Sequence, residues 1–356
     1  MKKVLLYIGS LKRGGAERVM ANIASFLAEK YEVILATDLL SLDTEDEYSF
    51  DPRVRRISFG IVRGGIKGNL KRIRRLRRII KTERPAAVLS FLGPSNLRML
   101  VAGIGLKTRI IVSVRNDPYY EYGSGLKKAI ARLLFNNASG CVFQTEEAKS
   151  YFPKRVQKKS VVIWNPVADK FFAHHWDPKR EEIAVVGRLS KQKNPLLALD
   201  AFKEVASDYP YLSLAYYGSG ELKQEVSDKA KEYGLSDRVK IIDNVPNIEE
   251  YVESARIFVL SSDFEGMPNA LMEAMTVSIP CIATDCPCGG PKAISQGFND
   301  LMLVPCNDAR AIEARMRALL DDENKQIELS SKERERSSLF RMDYVMKQWE
   351  SFLFKD

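Results

Sequence analysis

The chain has 356 residues, of which 45% are hydrophobic and 28% are charged. This composition excludes a disordered polycation, because such a chain can bury a large core, and the length predicts two domains of ordinary size. The net charge is +9, but residues 1–168 carry +17 and residues 169–356 carry −8. The excess of positive charge therefore belongs to the first half only.

The sequence shows neither a targeting signal nor a membrane span. The apolar run that follows Met1, Lys2 and Lys3 is only one strand long, and no stretch reaches the roughly 18 consecutive apolar residues of a spanning helix. We expect a chain that is soluble or lies on a membrane surface. Five cysteines in a long chain favour a reducing cytoplasm over a disulfide framework, and the spacing of cysteine and histidine does not predict a zinc site.

Short aliphatic runs alternate with segments of helical period in both halves, which predicts parallel sheets covered by helices. The predicted strands are residues 4–8, 32–36, 87–91, 109–113, 139–144, 183–187, 211–217, 239–242, 256–261 and 279–283. Residues 160–182 lack a sustained period and are predicted to be a linker. We therefore expect an α/β protein with two Rossmann-like domains that face each other across a ligand cleft.

Paired glycines follow the first predicted strand, at Gly14 and Gly15. Glycine at a strand-to-helix turn lets backbone N–H groups approach a phosphate at the positive end of the helix. The spacing fits neither the dinucleotide-binding pattern nor the P-loop. A tight turn without a ligand explains the pair equally well.

A second turn, with placed cations, follows the strand at 183–187. Arg188 and Lys193 lie between this strand and a helix for which Asn194 is the predicted N-cap and Pro195 the first residue. Cations at the end of a strand, beside the positive end of a helix, are suited to bind a diphosphate.

Two glutamates bracket a turn farther along the chain. Glu265 precedes Gly266, Pro268 is predicted to start a helix, and Glu273 lies in the second turn of that helix. Carboxylates separated in this way can accept hydrogen bonds from hydroxyls at opposite ends of one polar molecule. The flanking Gly-x-Pro and apolar residues argue against two solvated helix charges.

With these motifs, the chain resembles the retaining glycosyltransferases of family 4, which have the GT-B fold and build lipid-linked or surface glycans in bacteria. The resemblance rests on Arg188, Lys193 and two glutamates with seven residues between them, and it extends over essentially the whole chain. Further matching segments are Gly14-Gly15-Ala16-Glu17, Arg115-Asn116-Asp117-Pro118, Gly218-Ser219-Gly220 and Pro287-Cys288-Gly289-Gly290-Pro291.

The resemblance implies roles for these residues. Arg188 and Lys193 would hold the donor diphosphate, Glu265 the transferred sugar and Glu273 the ribose. Gly14, Gly15 and Gly218 are further donor-binding candidates, and the loop of Gly266, Met267, Pro268, Asn269 and Ala270 would meet the diphosphate and sugar. The implied domains are residues 1–168 with 340–356 for the acceptor and residues 169–339 for the donor, with a C-terminal helix that crosses back to the first domain.

The implied reaction is metal-independent transfer with retention at the anomeric carbon. Cations at Arg188 and Lys193 would stabilise the leaving diphosphate while an acceptor hydroxyl attacks on the same face. The expected donor is a nucleotide-sugar, with UDP favoured by family frequency. The transferred group is a hexose or N-acetylhexosamine, and neither a cofactor nor a metal is predicted.

The chain departs from many relatives in the first domain, where Arg115, Asn116 and Asp117 stand in place of a loop with histidine. Arg115 is a candidate contact for the sugar or the acceptor, and Asp117 can accept a proton. A turn explains Asn-Asp-Pro equally well. The two histidines, His174 and His175, lie in the predicted linker, where we expect a structural role.

Residues 67–84 contain nine Lys and Arg against one Glu, with apolar residues at helical spacing. This pattern is typical of a basic amphipathic helix at an anionic membrane surface, although a solvated face of an ordinary helix is the competing interpretation. We expect a peripheral location on the inner face of the cytoplasmic membrane and a lipid-pyrophosphate-linked glycan as acceptor. The cations assigned to this surface are Lys71, Arg72, Arg74, Arg75, Arg77 and Arg78.

Two other functions stay open. A nucleotide-sugar epimerase on the same fold would need no acceptor, and a non-catalytic protein could bind polyanions or membranes. Nucleic acid is not an expected partner, because the first half lacks an aromatic-studded strand pair and a zinc finger.

Overall fold

The computed structural model describes residues 1–12, 14–39, 47–60, 65–243 and 245–355. Arg13, within the loop of Gly14 and Gly15, lies outside the described residues. The chain forms two compact units, the first from Met1–Pro166 with Asp343–Asp356 and the second from Val167–Met342. The boundaries expected from the sequence were residues 168 and 340.

The first unit is a seven-stranded sheet in which every neighbouring pair is parallel, in the order β3-β2-β1-β4-β5-β6-β7. Its strands are β1 Lys3–Ile8, β2 Glu32–Thr37, β3 Arg55–Ser58, β4 Ala87–Phe91, β5 Arg109–Ser113, β6 Gly140–Phe143 and β7 Ser160–Val162. Its helices are α1 Gly15–Leu27, α2 Gly65–Glu83, α3 Gly93–Ala102, α4 Pro118–Tyr122, α5 Gly125–Phe135, α6 Glu146–Ser150, α7 Lys154–Gln157 and the final helix of the chain, α17 Met342–Leu353.

The second unit is a six-stranded parallel sheet in the order β10-β9-β8-β11-β12-β13. Its strands are β8 Glu182–Val186, β9 Ser213–Tyr217, β10 Val239–Ile242, β11 Ile257–Leu260, β12 Cys281–Thr284 and β13 Leu303–Val304. Its helices are α8 Asp169–Phe172, α9 Pro195–Ala206, α10 Lys223–Glu232, α11 Ile248–Ser254, α12 Asn269–Val277, α13 Gly290–Ile294, α14 Asn299–Met302, α15 Ala309–Leu320 and α16 Glu323–Ser337.

All ten predicted strands are present, and the two parallel Rossmann-like sheets confirm the expected fold class. Their aliphatic runs are buried because helices cover both faces of a parallel sheet, and Val4 to Ile8 of β1 have no exposed surface. The sequence missed β3, β7 and β13. These are short edge strands, and β7 lies in the segment predicted to be a linker.

The C-terminal helix returns to the first unit, as expected. Trp349 of α17 is fully buried and packs against Phe91 of β4, with 5.5 Å between ring centroids. Glu350 forms an ion pair with Lys30 at 3.1 Å. Tyr344, near the start of the helix, is 47% exposed.

The basic helix α2 corrects part of the sequence-based expectation. Arg72 is buried and forms an ion pair with Asp38 at 3.1 Å, so it cannot contact a membrane. Arg75 donates a hydrogen bond to the Phe59 carbonyl, and Arg77 donates to the Ala102 and Ile104 carbonyls at 2.9 and 2.7 Å. These three cations therefore hold α2 against the first unit.

The remaining cations of α2 face the solvent. Lys71, Arg74 and Arg78 are exposed, whereas Leu76 and Ile80 are buried beneath them. The helix is therefore amphipathic, but its outward charge is smaller than the sequence suggests.

Candidate active site

The motifs of the second unit meet at the carboxyl edge of its sheet. Arg188 and Lys193 follow β8, and Glu265 follows β11, which pairs with β8. Strand order reverses between these two strands, since β9 lies on one side of β8 and β12 on the far side of β11. Ligands of open α/β sheets bind in the crevice at such a switch point.

Two glycines let the loops at this edge pack backbone against backbone. Gly218 has φ +149°, and a Cβ there would lie 2.1 Å from the Gly187 carbonyl oxygen. A Cβ at Gly290 would lie 2.0 Å from the Gly266 carbonyl oxygen. Any other residue at either position would push apart the loops that carry the candidate site.

Lys193 and Glu265 form the central contact of the site. The Lys193 Nζ lies 2.5 Å from Glu265 Oε1, and the Ser262 hydroxyl donates to the same oxygen at 2.7 Å. The Glu265 side chain is 7% exposed and that of Lys193 is 22% exposed. Lys193 and Glu265 neutralise each other, whereas Arg188 is exposed and has no ion-pair partner within the described part of the chain.

The turn before α9 differs in detail from the prediction. Pro195 is the first residue of the helix, as expected, but Asn194 has left-handed backbone dihedrals and its side chain does not cap the helix. Instead, its amide donates to Asp263 at 2.8 Å and to Asn307 at 3.1 Å. Asn194 thus ties the loop after β8 to the loop after β11, a role that its sequence position does not indicate.

The glutamate block is built around the start of α12. Pro268 is the residue before the helix rather than its first residue, and Asn269 begins the helix. Glu273 is buried in the following turn. The start of α12, beside Gly266 and Ala270, carries the positive end of a helix dipole, which favours a negatively charged ligand.

Sequence reasoning missed Ser262. It lies three residues before Glu265 and is fully buried, and its backbone carbonyl also accepts a hydrogen bond from Thr284 at 2.6 Å. Serine is too common at strand ends for the sequence to mark it.

The glycine pair of the first unit stands where the sequence predicts. Gly14 is the N-cap residue of α1 with extended dihedrals, and Gly15 is the first helical residue. The Gly14 carbonyl accepts the first helical hydrogen bond, from Arg18 at 3.0 Å. The pair therefore opens a helix at the carboxyl end of β1, which is the geometry that an anion site needs.

Arg115 is buried in the first unit. Its guanidinium stacks over Phe91 at 4.9 Å and Trp349 at 5.8 Å, and it donates a hydrogen bond to Asn165. Burial lowers the pKa of Arg115 to about 9, although the nearby charge of Glu121 opposes the shift. These contacts hold Arg115 in place at the carboxyl edge of the first sheet. The Nε and Nη1 atoms of Arg115 have no hydrogen-bond partner within the described residues.

Glu121 is a titratable residue that the sequence did not single out. Burial raises the pKa of Glu121 to about 7, against the opposing effect of the Gly93 N–H that it accepts and of Arg115. Its only sequence signal is proximity to the Arg115 segment.

Asn116 and Asp117 form a turn. Asn116 accepts the Asp117 N–H at 2.9 Å, and Asp117 caps α4 by accepting the Tyr119 N–H at 2.8 Å. His174 of the predicted linker contacts Glu253 at 2.8 Å. Across the described ranges, no group of three or more His, Cys, Asp and Glu side chains could hold a metal ion. No helix within these ranges is long and apolar enough to cross a membrane.

Sequence models of two families match consecutive parts of the chain. The model described as Glycosyltransferase Family 4 matches residues 13–171, and the model described as Glycosyl transferases group 1 matches residues 167–336. The chain belongs to glycosyltransferase family 4. It is therefore a glycosyltransferase, and its two Rossmann-like units form the GT-B fold.

Full-length relatives are glycosyltransferases as well. A protein of Campylobacter jejuni is 26% identical over 98% of this chain and 97% of its own length, and its name describes an α-1,4-N-acetyl-D-galactosaminyltransferase that acts on GalNAc-α-(1→4)-GalNAc-α-(1→3)-diNAcBac-PP-undecaprenol. The amylovoran biosynthesis glycosyltransferase AmsD of Erwinia amylovora is 25% identical over 99% of this chain and 100% of that protein.

Solved structures share the fold. HepE of Anabaena, crystallised with UDP, has a TM-score of 0.81 with 16% identity and covers 99% of both chains. TarM has a TM-score of 0.81 with 12% identity, over 100% of this chain and 99% of that one.

Proposed function

We propose that this glycosyltransferase moves a sugar from a UDP-sugar to a hydroxyl of a lipid-pyrophosphate-linked glycan, with retention of anomeric configuration. The observation that carries the proposal is the Lys193–Glu265 pair beside Arg188 at the switch point of the second sheet. This edge offers a cation for a diphosphate and a carboxylate for a sugar hydroxyl in direct contact.

The residues would divide the work as follows. Arg188 and Lys193, with the N–H groups at the start of α12, would stabilise the negative charge that develops on the leaving diphosphate. Glu265 would accept hydrogen bonds from the transferred sugar, and Ser262 would hold the carboxylate in place. Glu273 would bind the ribose. We expect the reaction to need no metal, because these cations take the place of one.

The proposed acceptor is based on the acceptor that the name of a relative gives. The name of the Campylobacter protein places its acceptor glycan on PP-undecaprenol and its product linkage as α. A lipid-linked acceptor requires the enzyme to work at a membrane surface, and the exposed cations Lys71, Arg74 and Arg78 of α2 would attract anionic headgroups. We expect a peripheral position on the inner face of the cytoplasmic membrane.

The test is a donor screen followed by product analysis. We expect one UDP-sugar to raise the melting temperature more than other nucleotide-sugars do. With that donor and a synthetic polyprenyl-pyrophosphate glycan, mass spectrometry should show the addition of one sugar, and NMR coupling constants should show an α linkage. Turnover should survive EDTA. Inversion at the anomeric carbon, or loss of turnover with EDTA, would contradict the corresponding part of the proposal.

The epimerase alternative is separated by the same experiment. Conversion of the UDP-sugar or release of free nucleotide in the absence of acceptor, without any acceptor product, would favour it. Vesicle binding without binding of any nucleotide-sugar would favour a non-catalytic protein.

A further inference from the structure

The outer face of α4 and α5 exposes an unusual set of large apolar side chains. Tyr119 and Tyr120 of α4 are 59% and 72% exposed. Leu126, Ile130 and Leu133 of α5 are 77%, 49% and 69% exposed. We call these five residues the apolar ridge.

The ridge does not result from a poorly packed helix. The opposite side of α5 packs against the rest of the first unit. Ala131 and Phe135 are buried there, and Phe135 stacks on Phe152 with 4.3 Å between ring centroids. Leu126, Ile130 and Leu133 follow each other at i, i+4 and i+7, so they share one face of the helix. An apolar face on a helix that already buries its opposite face marks an interaction surface.

Most of the charges around the ridge are positive. Lys127 is exposed on α5, and the ammonium of Lys128 lies 4.8 Å from the ring centroid of Tyr119. The acidic residues of this segment are Asp117, which accepts the Tyr119 N–H at 2.8 Å, and Glu121, whose carboxylate accepts the Gly93 N–H and so points toward α3.

The helix layer extends this surface. Helix α5 packs on α3, and α3 packs on α2, so the ridge and the exposed cations of α2 belong to one layer of the first unit. Such a surface, with apolar side chains, tyrosines and a cationic surround, has the composition of an interfacial membrane contact. The exposed apolar side chains suit the apolar interior of a bilayer, and the cations beside them suit its anionic headgroups.

We propose that the apolar ridge inserts into the headgroup region of an anionic bilayer and anchors the first unit there. The cations of α2 add an electrostatic attraction that salt screens, whereas insertion of the ridge is an apolar contribution that salt does not screen. The ridge begins at α4, next to the carboxyl edge that holds Arg115, so a lipid-linked acceptor in the same bilayer would emerge beside that edge. The placing of a lipid-linked acceptor beside this edge rests on the proposed function, but the membrane contact itself does not.

The test uses the full chain with vesicles of phosphatidylglycerol and phosphatidylethanolamine, without donor or acceptor. The variant Leu126→Gln, Ile130→Gln, Leu133→Gln should bind at least about tenfold more weakly. The matched control is Tyr211→Gln, Ile327→Gln, Tyr344→Gln, which replaces residues that are 56%, 53% and 47% exposed outside α2 to α5. It should bind like the unmodified chain, and residual binding of the unmodified chain in 0.5 M salt should disappear in the ridge variant.

Equal vesicle binding by the ridge variant and the unmodified chain would overturn the proposal. So would sedimentation that shows self-association through the ridge without vesicle binding, because a second copy would then cover it. Because the assay contains no sugar donor, failure of the proposed transferase reaction leaves this result unaffected. Transfer to a short, water-soluble acceptor should be the same in the ridge variant and the unmodified chain.

Discussion

The carboxyl edges of the two sheets use predicted cations in opposite ways. In the second unit, Lys193 contacts Glu265 at the switch point and Arg188 is left exposed. In the first unit, Arg72 and Arg115 are buried, one against Asp38 and the other against Phe91 and Trp349. Position in the sequence therefore does not decide how a cation is used, because Arg115 belongs to a matching motif, as Lys193 does, and yet is buried among aromatic rings.

The largest effect is expected in the second unit. Glu265→Gln and Lys193→Ala should each lower kcat by about a thousandfold or more, because in the proposed mechanism each removes a group that stabilises the charge or binds the sugar in the transition state. Both variants should stay folded by circular dichroism. As a control, Lys240→Ala removes an exposed cation on β10 and should leave turnover unchanged. Full turnover by either site variant would contradict the assignment.

The second prediction compares two neighbouring arginines of α2. Arg72→Leu should lower the free energy of unfolding by about 2 kcal/mol, because it removes one of the buried cations paired with Asp38. Arg74→Leu changes an exposed side chain and should stay within about 0.5 kcal/mol of the unmodified chain. Chemical denaturation measures both. Equal destabilisation would mean that Arg72 is not held as the structure shows.

The third prediction concerns pH. Because the pKa of Glu121 is raised to about 7 in the folded chain from 4.5, unfolding releases a proton between those pH values. Its contribution to stability is therefore lost as the pH rises through that window. Glu121→Gln should reduce the fall in the free energy of unfolding across this window by up to about 2 kcal/mol. The difference in stability between the variant and the unmodified chain should therefore shift in favour of the variant as the pH rises to 8. Parallel curves for the two proteins would contradict the shift.

The smallest effect on stability is expected from the outer face of α2. Lys71→Glu, Arg74→Glu and Arg78→Glu together should change the free energy of unfolding by no more than about 1 kcal/mol, because all three side chains are solvated. The variant should lose the salt-sensitive part of its binding to anionic vesicles. An unchanged salt dependence would contradict this role and would mean that other cations supply the electrostatic part of the binding.

Most of the fold could be predicted from the sequence, because strands buried on both faces are continuous aliphatic runs. The edge strands could not: β3 contains Arg55 and Arg56, and β13 has two residues. In the candidate site, Lys193 and Glu265 could be named from spacing. The roles of the Asn194 amide and the Ser262 hydroxyl could not be predicted. Their partners, Asp263 and Glu265, lie 69 and three residues away, and only the folded structure shows that these groups meet.

The sequence also could not predict that Arg72, Arg75 and Arg77 point toward the rest of the first unit. Helical spacing shows that α2 has two faces, but the seven positions 72–78 hold five arginines, on both sides of Ile73 and Leu76, and give the charges no clear face. The side that packs against Asp38 and the Phe59 carbonyl is set by neighbouring strands.

Calorimetric titration with UDP and with uridine tests the central claim most directly, that the cations of the second unit hold the donor diphosphate. We expect UDP to bind the unmodified chain far more tightly than uridine does, and we expect Arg188→Ala and Lys193→Ala each to reduce this difference at least about tenfold while uridine affinity and the Lys240→Ala control stay unchanged. An equal preference for UDP in all four proteins would contradict it.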